Sequence, residues 1–227
     1  MHSPQQSRYK ILCSKNDVIL KRELQNDNNN NNNINNNNTA SNTFVIDFEI
    51  NNSRIDLERF CNFNIFKLMF ELNREDAIQD LCITDRGDSD CNINNVKDML
   101  LVFKRKGDDV GIKQKYMNLR LTLTTTTAAS TSTATSAFAS NFVFECVDAE
   151  LDAGNGTGID LSRAERICDI GAVFCMSLLD RNRLRMQFMF SVPTSPATKR
   201  QPSYIENSLG MVMKKILSRV KTFIEQM

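Results

Sequence analysis

The side chains able to do chemistry are few and widely spaced. The single histidine is His2, so Ser-His-Asp and Cys-His catalysis and zinc sites with two histidines lack their partners. There are seven cysteines, an odd number, and none has Cys-x-x-Cys spacing. Most stand beside apolar residues, as in Phe60-Cys61, Leu81-Cys82 and Phe174-Cys175, the pattern of reduced, buried thiols. Asp85, Asp88 and Asp90 approach a calcium loop, but Gly87 precedes the second acid and the twelfth-place glutamate is missing. Glu145, Asp148, Glu150 and Asp152 have no histidine or cysteine arranged to share a metal. The expectation is a protein with no catalytic residue, no metal and no cofactor.

Two strings could still bind something. Lys104, Arg105, Lys106, Lys113, Lys115 and Arg120 flank a turn, with Phe103 and Tyr116 interleaved. Cations beside aromatic rings are what a single-stranded nucleic-acid platform needs, charge for phosphates and rings for bases. Asp108 and Asp109 at the tip would repel phosphate, and lysines that keep an edge strand from aggregating explain the same residues. The second string is Gly154-Asn155-Gly156-Thr157-Gly158 behind Leu151-Asp152-Ala153. It resembles the first motif of S-adenosylmethionine-dependent methyltransferases, which implies a glycine turn against the cofactor and a later acid, Asp180, at its ribose. Three features set the chain apart from that family. Acids interrupt the preceding strand, too little chain follows Gly158, and no alternation of strands and helices precedes it.

Surplus apolar surface gives the favoured reading. Phe60, Phe63, Phe66 and Phe70 lie off the stripe made by Leu57, Cys61, Ile65, Leu68 and Leu72. Met211, Met213 and Leu217 lie off a C-terminal stripe made by Ile205, Leu209, Val212, Ile216, Val220, Phe223 and Met227. Flexible thioethers suit adaptable contacts. These seven residues are therefore the expected partner-binding set of a non-catalytic subunit or adaptor in a protein assembly. Nucleic-acid binding by the basic hairpin is the alternative, and a methyl-donor enzyme at Gly154–Gly158 a weaker one.

The elements that must position these residues follow from composition and periodicity. Lys plus Arg number 28 and Asp plus Glu 27, so no global field steers the chain to nucleic acid or anionic lipid. No signal-peptide core and no run of eighteen apolar residues is visible, so the expected place is the cytoplasm or nucleus, without secretion or membrane. Residues 1–25 read as a short N-terminal segment, its apolar residues fitting a strand or a helix. Residues 26–42, nearly all asparagine up to Asn38, read as a disordered linker, since such a run buries too little apolar surface to fold. Residues 43–227 read as one domain with a flexible Thr/Ser/Ala loop at 124–140. Within it, alternation predicts strands at Phe44–Ile50, Met99–Lys104, Tyr116–Leu123, Phe142–Cys146, Val173–Leu179 and Leu184–Val192. Helices are predicted at Leu57–Leu72, from Asn73 towards Cys82, and from Ser203 to the C-terminus, where Ser203 and Glu206 have capping-box spacing. The expected class is α+β: an antiparallel sheet of about six strands, a helix on the N-terminal side, and a long C-terminal amphipathic helix.

Overall fold

Period-two alternation dominates the molecule, and it builds more sheet than the sequence announces. The computed structural model describes residues 8–23, 41–85, 95–105, 113–127, 140–150, 158–193 and 204–227. The strands are β1 (Tyr9–Lys15), β2 (Val18–Glu23), β3 (Ser41–Asn51), β4 (Ile78–Asp85), β5 (Val96–Phe103), β6 (Gln114–Thr127), β7 (Ser140–Asp148), β8 (Ala164–Arg166), β9 (Gly171–Asp180) and β10 (Arg183–Pro193). They form one sheet in the order β1-β2-β3-β10-β9-β7-β6-β5-β4, antiparallel throughout, with β8 added parallel to β6. A 3-10 turn (Leu57–Phe60) and two helices, α1 (Asn64–Asn73) and α2 (Tyr204–Gln226), complete the described elements.

The expected sheet of about six strands is thus corrected to ten. Two of the missing strands are β1 and β2, which pair with each other and then with β3, so residues 9–23 are part of the sheet. Asn16 and Asp17 turn that hairpin with φ of 53° and 58°, the left-handed pair that a two-residue turn demands. The chain after Asn73 is not a second helix: it turns through residues 74–77 and enters β4. The helix expected over Leu57–Leu72 divides into the 3-10 turn and α1. Thr124–Thr127, expected as loop, extend β6 opposite β7, while 128–139 and the asparagine tract lie outside the described residues.

Register places the core. One row crosses six strands: Leu123, Phe144, Phe174, Phe188, Ile46 and Leu20 stand side by side on the inner face. Phe63 and Phe66 meet Phe144 edge to face, with centroids 5.5 and 5.4 Å away, and this seats α1. The neighbouring row runs Leu121, Cys146, Ala172, Phe190 and Phe44. Two of its members are small, so the inner face dips between Leu121 and Phe190.

Helix α2 lies over this face. Gly210 makes the approach possible, since a Cβ there would stand 3.2 Å from Cδ1 of Phe44, a fully buried ring. The buried face of α2 holds Gly210, Ile216, Leu217, Val220 and Ile224, while Met211 and Phe223 are 47 % and 39 % exposed. The expected stripe is therefore rotated: Leu217 belongs to the core and Phe223 faces outward. The close approach at Gly210 sets this rotation, which apolar spacing alone does not reveal.

Candidate functional site: an apolar cavity under the long helix

The dip at Cys146 and Ala172 is not filled from above. It leaves a cavity of about 70 Å³ between the sheet and both helices. Its floor is Met99, Met117, Leu119, Cys146 and Ala172; Phe66 and Met69 of α1 and Met213 and Ile216 of α2 form its roof. Leu81, Leu101, Phe188 and Met213 are half-buried and make its rim. Four of the lining residues are methionines drawn from four elements, which gives the walls unbranched, polarisable side chains. Cys146 is the one lining residue with a titratable proton, and burial pushes its pKa up to about 12, so the thiol stays neutral.

Polar contacts hold the C-terminal half of α2 in place. Asp76, just past α1, pairs with Lys215 at 3.0 Å and with Arg219, both from α2. Hydrogen bonds from these two cations hold the Asp76 carboxyl below its ordinary pKa. Arg219 also reaches the Leu72 carbonyl and Oδ1 of Asn73, while Asn73 donates to the Met69 carbonyl at 2.8 Å. At the far end Asn52 donates to the Ile224 carbonyl at 2.6 Å, and Lys221 donates to the Glu49 carbonyl at 2.7 Å. Met213 and Ile216, the two α2 residues that line the cavity, meet it with apolar side chains.

The residues expected to bind a protein partner are scattered or enclosed. Phe63, Phe66 and Leu217 are buried in the core. Phe60 and Phe70 are half-buried, with the guanidinium groups of Arg59 and Arg74 over their rings at 5.7 and 6.0 Å. Met213 lines the cavity, and only Met211 of the seven stands exposed. Most of the apolar surplus that looked like docking surface packs in or against the core.

The basic residues do not converge either. Lys104 donates to the Glu75 carbonyl, Lys115 pairs with Glu165 at 2.8 Å, and Arg120 pairs with Asp98 at 3.1 Å. Lys113 and Arg105 are exposed, and Lys106 lies outside the described residues. Of the glycine string only Gly158 is described, with φ of 67°; Asp180 pairs with Arg183 at 2.6 Å in the β9–β10 turn. An antiparallel sheet is not the doubly wound fold that a methyltransferase motif requires. Among the described residues no cluster of three or more His, Cys, Asp or Glu could hold a metal, and no helix is long and apolar enough to cross a membrane.

This architecture, a long C-terminal helix laid over a large antiparallel sheet, is similar in fold to solved lipid-transfer domains. The human StarD13 (DLC2) lipid transfer and protein localization domain superposes with a TM-score of 0.60 at 8 % identity, over 96 % of this chain and 90 % of that one. Human STARD10 gives 0.56 at 7 % identity, covering 96 % and 73 %, and human StAR-related lipid transfer protein 5 gives 0.52 at 6 %, covering 97 % and 86 %. No family model and no curated protein matches the sequence. At such identities the likeness is one of fold. Together with the buried phenylalanines and the paired cations, it overturns the adaptor or complex-subunit reading, the nucleic-acid reading and the methyl-donor enzyme.

Proposed function

We propose that the protein binds a lipid in the cavity beneath α2 and carries it through water. The observation that carries this reading is the cavity itself, walled by apolar side chains of the sheet and of both helices. The likeness in fold to lipid-transfer domains supports it. At about 70 Å³ the cavity is about half the ~150 Å³ that admits benzene in an engineered protein cavity. A lipid therefore enters by displacing side chains, and Met69, Met99, Met117 and Met213 are the ones whose unbranched stems repack at least cost. The same reading makes the protein a carrier rather than an enzyme, because the one ionisable lining group is a thiol kept neutral. Its described cysteines are free, which fits work in the cytosol or nucleus.

The test is to incubate the purified protein with vesicles of a total lipid extract, re-isolate it by gel filtration, and identify extracted lipids by mass spectrometry. About one lipid per protein is expected. A protein that returns from every such mixture without lipid would refute the reading.

A further inference from the structure

The chemistry of the walls narrows the class of ligand, and this step rests on the lipid-binding reading. A headgroup inside a protein needs partners: an isolated charge or amide moved out of water loses its hydration with no return. Among the described residues the lining supplies none. All thirteen lining residues are Phe, Met, Ile, Leu, Ala or Cys, and the half-buried rim, Leu81, Leu101, Phe188 and Met213, is as apolar as the floor.

Three of the buried polar side chains nearby are engaged. Asn73 is held by Met69 and Arg219, Asn52 by the Ile224 carbonyl, and Lys221 by the Glu49 carbonyl and Glu225. Lys214 follows Gly210 by one turn and so shares the face that meets Leu20 and Phe44, on β2 and β3. Met213 and Ile216, not Lys214, are the α2 residues that line the cavity. The Cys146 thiol is a weak donor at best, and it stays neutral across the physiological range.

We infer that the cavity selects an uncharged, hydrocarbon-rich molecule, a neutral lipid without an ionic head, over fatty acids and phospholipids of the same chain length. The discrimination comes from the missing partners rather than from shape: a carboxylate or phosphate drawn in with its chain finds no strong donor among the described residues of the walls or rim.

The experiment compares ligands that share one chain and differ in the head. Radiolabelled hexadecane, palmitate at pH 8 and dipalmitoyl phosphatidylcholine vesicles are each equilibrated with the full-length protein, and bound label is counted after gel filtration. Hexadecane is expected to bind at least about a hundredfold more tightly than palmitate, since the carboxylate would be stranded. Palmitate or phosphatidylcholine binding as tightly as hexadecane would overturn the inference while leaving lipid binding intact. Failure of all three to bind would overturn the inference together with the lipid-binding reading.

Discussion

Replacing Ala172 by leucine tests the cavity through two quantities that must move in opposite directions. Ala172 sits on the inner face of β9, between Cys146 of β7 and Phe190 of β10, and its side chain borders the cavity. Leucine adds three carbons pointing into about 70 Å³ of empty space. Empty core volume costs about 24 cal/mol per Å³, so filling it returns about 1.7 kcal/mol. Fixing the leucine rotamers takes back about 0.5–1 kcal/mol. The net gain is about 1 kcal/mol, or a rise in Tm of about 2–4 °C for a domain of this size. Urea titration reads the stability, and recovery of extracted lipid after incubation with vesicles reads the binding. Ala172→Leu should be more stable than the parent and bind lipid at least about tenfold more weakly. A loss of more than about 1 kcal/mol would mean that the space is not there and the core was overpacked. Unchanged lipid recovery in a well-folded variant would mean that the ligand sits elsewhere.

Other expectations follow from the roof and the thiols. Because the folded Asp76 carboxyl titrates below its ordinary value, its stabilisation is complete above the usual aspartate pKa and is lost as pH falls through the folded one. Asp76→Asn should therefore flatten the fall in Tm below about pH 4, measured by scanning calorimetry; an unchanged acid limb would sink the Lys215 and Arg219 pairing. Gly210→Ala should lower stability in urea even though alanine gains about 1 kcal/mol in helix propensity, because its methyl would press on the enclosed Phe44 ring. A gain of that full size would show that α2 lifts freely from β3. Cys61 and Cys146, whose pKa values burial pushes up to about 12, should resist maleimide in the native protein while exposed Cys168 reacts, as peptide mapping by mass spectrometry would reveal.

Much of the sheet was legible because its strands alternate cleanly. Phe44, Ile46, Phe48 and Ile50 face inward as a period of two requires, and so do Phe142, Phe144 and Cys146. The hairpin of β1 and β2 was ambiguous because neither strand alternates: Ile11-Leu12-Cys13 and Val18-Ile19-Leu20 are short unbroken runs that suit either element. Its clearest signal was Asn16-Asp17, two residues that tolerate positive φ, within the four-residue gap between the runs. The site was illegible for a different reason. Phenylalanines and methionines read identically whether they cover a partner, a core or a cavity, and only register brings Cys146 and Ala172 into one row beneath Met213. Surplus apolar residues around α1 and α2 were a true signal, but its cause lay in a two-sided interior rather than an outer face.

The pairing of β3 with β10 also governs how the molecule is made. Asp47 meets Arg185 across 138 residues of chain, and that contact joins the first three strands to the remaining seven. While the chain emerges from the ribosome, β1 to β3 can form a ribbon, yet the inner row of Phe44, Ile46 and Phe48 has no lasting cover until β10 arrives and α2 folds over it. Sheets closed by contacts this distant in sequence fold slowly. Until β10 arrives, β3 therefore keeps one unpaired edge beside an uncovered apolar row, the kind of surface that makes folding intermediates prone to aggregate.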